Sequence, residues 1–221
     1  MPWQVSDSIS FCELDDRLFF LDLRRDRYFQ LSETLEQRFR RHLYAPDDTT
    51  SLERLVEQGL CPGTAPVRNE IVDVEQSVPE RPPSQTRIRL GTAGDIGLAV
   101  LATYRRLAKQ PLGYVLGDLI RYRRAKVTPS PPDRRDAEEE RRLIEAADAF
   151  NRVRPYIPIA TSCVIDSVSM IRFLAKRGLY AHLVMGVACD PFSAHAWVQC
   201  GPLVLNDSVG SVQGHVPIRV L

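Results

Sequence analysis

Residues 163–178 read CVIDSVSMIRFLAKRG, and residues 183–207 read LVMGVACDPFSAHAWVQCGPLVLND. In the first run Val164, Ile165, Val168, Ile171, Leu174 and Ala175 recur at helical spacing and form a core-facing stripe. Thr161 and Ser162 lead into that helix. Lys176 and Arg177 suit its C-terminal dipole, and Gly178 is the expected C-cap. Residues 181–187 are strand-like. Residues 195–199 and 203–205 then form a hairpin around Gly201-Pro202. The pattern is a cysteine at a helix start, a histidine on a strand and an aspartate at the end of the next strand.

That order suits nucleophilic catalysis. A thiol must ionise to attack, and the free N–H groups at a helix N-terminus favour the thiolate at Cys163. The same N–H groups can stabilise an oxyanion. His195 is the candidate proton acceptor and donor. Asp207 is the carboxylate that fixes its tautomer, since hairpin geometry brings the two side by side. Each residue alone has a structural alternative: a small buried thiol, a satisfied strand histidine, an aspartate that starts a turn. Trp197 and Gln199 share the His195 face by alternation, and the second oxyanion donor stays unassigned.

Outward from this core, residues 136–153 form a charged amphipathic helix with Leu143, Ile144, Ala147 and Phe150 inward. Residues 95–126 are helical and divided at Pro111. Arg105, Arg106, Lys109, Arg121, Arg123, Arg124 and Lys126 face a single acid, Asp118, across 104–126. That stretch reads as a solvated helix face or as a surface for an acidic partner. Residues 66–87 are rich in proline and polar residues and read as a linker, with a short strand at 70–74. Residues 1–65 read as a unit of winged-helix size. Strands at 9–14 and 17–23 flank an Asp15-Asp16 turn, and a third covers 28–31. Ser32 caps a helix to about residue 43, with Leu35, Phe39 and Leu43 inward. A capping box at 50–53 opens a second helix containing Leu52, Leu55 and Val56.

The chain has 221 residues, 29 basic against 28 acidic, and a net charge of +1, so total charge makes no case for nucleic-acid binding. Five cysteines, an odd number with no CxxC pair, argue against a disulfide framework or zinc ribbon. Cys189, His195 and Cys200 do not close a four-ligand metal set. No Walker or Rossmann glycine motif occurs, so no cofactor is evident. The N-terminus lacks a signal-peptide pattern, and the longest apolar stretch is interrupted by arginines, so a cytoplasmic protein without a membrane span is expected.

The run 163–178, followed by the GV-x₃-PF-x-AHAWV stretch at 186–198, resembles the B proteins of lasso-peptide biosynthesis, the microcin J25-processing type. The residues DLRRDRYFQLSETLEQ at 22–37 and the strand–strand–strand–helix–helix order are similar to PqqD-like domains that bind precursor leader peptides. The resemblance implies an α+β chain: a small winged-helix-like PqqD-type domain over 1–65, a linker over 66–87, and a papain/transglutaminase-like cysteine protease domain over 88–221. It implies a thiol protease with Cys163, His195 and Asp207 at the catalytic positions. Such an enzyme removes the leader from a ribosomal lasso-peptide precursor before a separate asparagine-synthetase-like cyclase closes the ring. ATP dependence is implied for some members by resemblance alone. An extended leader would add to the sheet edge at Tyr28, Phe29, Gln30 and Leu31, with Leu52, Leu55 and Val56 as the opposite wall. For Tyr28 and Phe29 ordinary core packing is the alternative. Two rival functions remain: a transglutaminase-like acyl transferase on another substrate, and a non-catalytic scaffold that presents the precursor.

Overall fold

The computed structural model describes residues 8–44, 73–82, 84, 86–127 and 137–221. It is a mixed α+β structure built around two sheets. The first is antiparallel, with β1 (Ile9–Leu14), β2 (Arg17–Asp22) and β3 (Arg27–Gln30) in that order. Asp15 and Asp16 join β1 to β2 with φ of 49° and 59°. Two successive positive φ values match the right-handed twist of a tight hairpin, and aspartate tolerates that region better than most residues. Helix α1 (Glu33–Tyr44) covers one face. Its Leu35 and Phe39 pack with Ile9, Phe11, Leu18, Phe20, Phe29 and Leu31. Strand alternation sends Cys12, Phe19 and Leu21 to the opposite face, which joins the main core of the molecule. This small sheet is therefore buried on both sides. The expected second helix at 50–59, with Leu52, Leu55 and Val56, lies outside the described residues.

The rest of the chain forms α2 (Leu90–Leu107), α3 (Leu112–Lys126), α4 (Ala137–Val153), a 3₁₀ turn (Arg154–Tyr156) and α5 (Cys163–Ala175). Helix α2 begins five residues before the expected start, and Pro111 divides it from α3 as anticipated. A five-stranded sheet follows the order β4-β7-β6-β5-β8. Its strands are β4 (Gln76–Ser77), β5 (His182–Ala188), β6 (Ser193–Cys200), β7 (Leu203–Val204) and β8 (Val216–Val220), with α6 (Val209–Gln213) before β8. Helix α5 lies against β6, flanked by α2 and α3. Its buried Val168, Ile171 and Leu174 follow the sequence pattern. Gly178, at φ +71°, ends it as a left-handed cap.

One element differs from expectation and another was not anticipated. Within the 66–87 segment the strand is Gln76–Ser77, pairing parallel with β7, and residues 73–75 carry none. Strand β8 contains Pro217, which argues against a strand by local pattern. It is tolerated because β8 is an edge strand whose register with β5 shifts between Met185 and Gly186. β1 and β2 pack against β8. The seam is completed at Gly113 of α3, where an added Cβ would sit 2.7 Å from the Leu23 carbonyl oxygen.

The basic 104–126 stretch is partly spent on the fold. Arg123 is buried, donates to the carbonyls of Ala181 and Leu221 at 2.8 Å each, and lies over the Tyr180 ring. Arg106, Arg121 and Arg172 share Asp118. Among the described residues no helix is long and apolar enough to cross a membrane.

Candidate active site

The structure brings Cys163, His195 and Asp207 together. Cys163 is the first residue of α5, His195 lies on β6, and Asp207 follows β7. Nε2 of His195 is hydrogen-bonded to Oδ2 of Asp207, and the other side of the ring meets the Cys163 thiol. With Nε2 taken by the carboxylate, Nδ1 is the nitrogen left for sulfur. Asp207 is itself held twice: its Oδ1 accepts from the Ser208 N–H at 2.7 Å, and its carbonyl accepts from Ser77 Oγ at 2.6 Å.

The charges shift accordingly. The hydrogen bond with His195 is the largest influence on Cys163. Together with the imidazole's charge and the N–H groups of Ala196 and Val164, it holds the thiol below its ordinary range against the pull of burial. His195 is pushed up to about 9, first by its hydrogen bond to Asp207 and then by that to Cys163. Burial alone would raise the Asp207 carboxyl, but hydrogen bonds from His195, the Ser208 N–H and Ser211 hold it below the usual range. Both shifts act in the direction of a thiolate–imidazolium pair. Cys12, by contrast, is pushed up to about 12 by burial, and the Cys200 thiol donates to the Tyr180 carbonyl.

The first intrahelical bond of α5 runs from the Asp166 N–H to the Ser162 carbonyl at 2.9 Å, and the Ser162 side chain caps nothing. The N–H of Cys163 is thus placed for a developing oxyanion. Trp197 and Gln199 are not further donors to it. The Trp197 indole donates to Gln199 Oε1 at 2.9 Å, Gln199 Nε2 donates to the Gly201 carbonyl at 2.9 Å, and both residues are buried.

Several positioning residues escaped the sequence reading. Ser167, one turn beyond Cys163, donates to the Ala196 carbonyl at 3.0 Å and accepts from Asn206 Nδ2 at 2.9 Å. Asn206 Oδ1 in turn accepts from the Val198 N–H at 2.7 Å. These bonds tie the elements carrying the three candidate residues to one another. A serine on an otherwise apolar helix stripe was the available signal. Arg154 reaches Asp166 at 2.6 Å and the carbonyls of Ile159 and Ala160 at 3.0 and 3.1 Å, pinning the loop that enters α5. His215 stands 5.2 Å from the His195 ring centre, with Nδ1 donating to the Ser211 carbonyl and Nε2 meeting the Ser193 hydroxyl at 3.0 Å.

The described candidates for leader binding lie on or just after β3, and Leu52, Leu55 and Val56 fall outside the described residues. β3 is an outer strand, paired on one side with β2. Phe29 stacks on Phe20 at 5.1 Å, Gln30 is exposed, and Leu31 is a core residue under α1. Tyr28 is half-buried on the opposite face, against the main core.

A cleft of about 420 Å³ beside α4 carries Arg87, Arg89, Arg142, Arg152 and Arg177. Glu145 and Asp148 also line it, and Arg152 and Arg177 are already paired with Asp148 and Asp95. Among the described residues no glycine lines it, so it lacks the glycine-rich backbone loop that cradles nucleotide phosphates.

A family described as the transglutaminase-like superfamily matches residues 106–220, about half of the chain. The chain is also 42% identical over 48 residues to the microcin J25-processing protein McjB of Escherichia coli. That stretch covers 22% of this chain and 23% of McjB, so it spans under a quarter of the relative's length. No solved structure matches the chain.

Proposed function

The chain belongs to the transglutaminase-like superfamily, and we propose that within it the protein is a cysteine leader peptidase of lasso-peptide maturation. The observation that carries this reading is the Cys163–His195–Asp207 hydrogen-bonded chain at the N-terminus of α5. Cys163 attacks the scissile carbonyl as thiolate, and the Cys163 N–H takes the oxyanion. The His195 imidazolium gives its proton to the departing amine. Water then attacks the thioester with His195 as base, releasing the leader's new carboxylate and the thiol. Asp207 keeps His195 oriented and stabilises its charge throughout.

In this reading the N-terminal sheet is a PqqD-type recognition unit and the leader pairs with the outer edge of β3. Holding the leader there raises the effective concentration of the scissile bond at Cys163. The freed core passes to a separate cyclase. The partial likeness to a microcin J25-processing protein supports the pathway, and the both-sides burial of the N-terminal sheet supports a recognition unit fixed beside the centre.

The test is mass spectrometry of the precursor encoded beside this chain, incubated with wild type and with Cys163→Ala, with and without cyclase and ATP. Two fragments from wild type alone are expected. A crosslinked or amidated product would instead make the protein an acyl transferase. Tight precursor binding without any cleavage would make it a scaffold.

A further inference from the structure

Three aromatic rings meet where the N-terminal sheet packs against the start of β6, the strand that carries His195. Phe192 immediately precedes β6 and lies three residues before His195. Phe19 of β2 is stacked on it, with centroids 5.9 Å apart and 9° between planes. Tyr28 of β3 meets the same ring edge-on at 5.9 Å and 64°. Phe192 is nonetheless 51% exposed, so about half of this large apolar ring remains open to solvent. Tyr28 packs on the same core as Cys163 and Cys189. Burial, then the negative charge of Cys163, then Asp26 and Cys12 push its phenol up to about 12. The phenol is therefore neutral wherever Cys163 operates, and it lies within electrostatic reach of the nucleophile.

We propose that Tyr28 is a specificity-determining residue of the catalytic centre, supplied by the N-terminal sheet. With Phe192 it forms a wall against which an apolar side chain of the substrate packs next to the scissile bond. The inference rests on the peptidase reading and deepens it. A leader leaving the β3 edge passes Tyr28 on its way to Cys163, so the same strand serves leader capture and bond selection. The half-exposed ring of Phe192 completes its burial when that side chain arrives, and offset or edge-on ring packing rewards an aromatic one. The C-terminal unit alone would present one side of this wall.

The test compares alkylation of Cys163 by iodoacetamide and by N-benzyl iodoacetamide, followed by intact-mass spectrometry of the full chain with the site located by peptide mapping. In both reactions sulfur bonds to carbon as iodide leaves. The ratio of the two rates, normalised to that of free glutathione, cancels general changes in thiol reactivity. A benzyl preference of about tenfold is expected in wild type, of the size that small apolar groups command in a hydrophobic site. Tyr28→Ala and Phe192→Ala should each remove most of it, and Tyr28→Phe should keep it. Phe192 is exposed enough that its truncation leaves the fold standing if Tyr28→Ala does not. An unchanged ratio in Phe192→Ala and Tyr28→Ala, or no preference in wild type, overturns the proposal. No peptide bond is cut in this assay, so a failure of the subsite is distinguishable from a failure of the peptidase reading.

Discussion

Replacing Arg154 by Met should destabilise the protein in a pH-dependent way. The Arg154 and Asp166 side chains are 7% and 19% exposed, and the guanidinium also satisfies the carbonyls of Ile159 and Ala160. Removing one partner of a buried pair typically costs about 3–5 kcal/mol, because the other charge is left uncompensated. Asp166 has an escape. Burial already holds its carboxyl above the ordinary value despite Arg154, and without Arg154 it rises further and takes up a proton instead. The lower end, about 3 kcal/mol, is therefore the better figure, or roughly 6–12 °C in thermal midpoint for a chain of this size. The sign follows from linkage. An acid whose folded pKa lies above its unfolded value binds more protons in the native state, so stability falls as pH rises between the two values. The deficit of Arg154→Met should be larger at pH 8 than at pH 5. Adding Asp166→Asn should recover a substantial part of it at pH 8 and little at pH 5. Thermal melts of the three variants at both pH values test this. A midpoint within about 2 °C of wild type, or a deficit of equal size at both pH values that Asp166→Asn leaves untouched, would refute the electrostatic account of this clamp.

Two other outcomes follow from the site. Cleavage should weaken as pH rises through about 9, where His195 loses the proton that the departing amine needs, and Asp207→Asn should move that loss toward the ordinary histidine value near 6.5; an unmoved limb in a pH–rate profile would detach Asp207 from His195. The same shift makes His195 a stabilising group whose contribution is full below about pH 6.5 and gone above about 9, readable as a pH-dependent midpoint difference between wild type and His195→Gln. Gly186→Ala would place a Cβ 2.8 Å from two buried Trp197 ring atoms and 3.1 Å from the His215 Cβ, so a loss of about 1–3 kcal/mol is expected in denaturant unfolding. An unchanged midpoint would mean that the ring shifts freely.

What could be read along the chain was whatever depends on neighbours within about one turn or one hairpin. The Val168–Ile171–Leu174 stripe and Gly178 define α5, and Pro111 divides α2 from α3. The Asp15-Asp16 turn sets β1 against β2, and the Gly201 turn sets β6 against β7. From those spacings came Cys163 at a helix start and His195 near Asp207, which the folded chain places in one hydrogen-bonded line. Pairings across long separations left no local trace. β4 joins β7 across more than a hundred residues from within a proline-rich segment, and β8 keeps Pro217 because, among the described residues, β5 is its one partner within the sheet. Asn206 and Ser167 are ordinary polar residues until α5, β6 and the Asp207 loop converge on them. Tyr28 alternates toward one face of a strand whatever the fold. Only the packing of the N-terminal sheet on β8 sets that face against Phe192, because contacts of this kind are set by burying two apolar surfaces against each other.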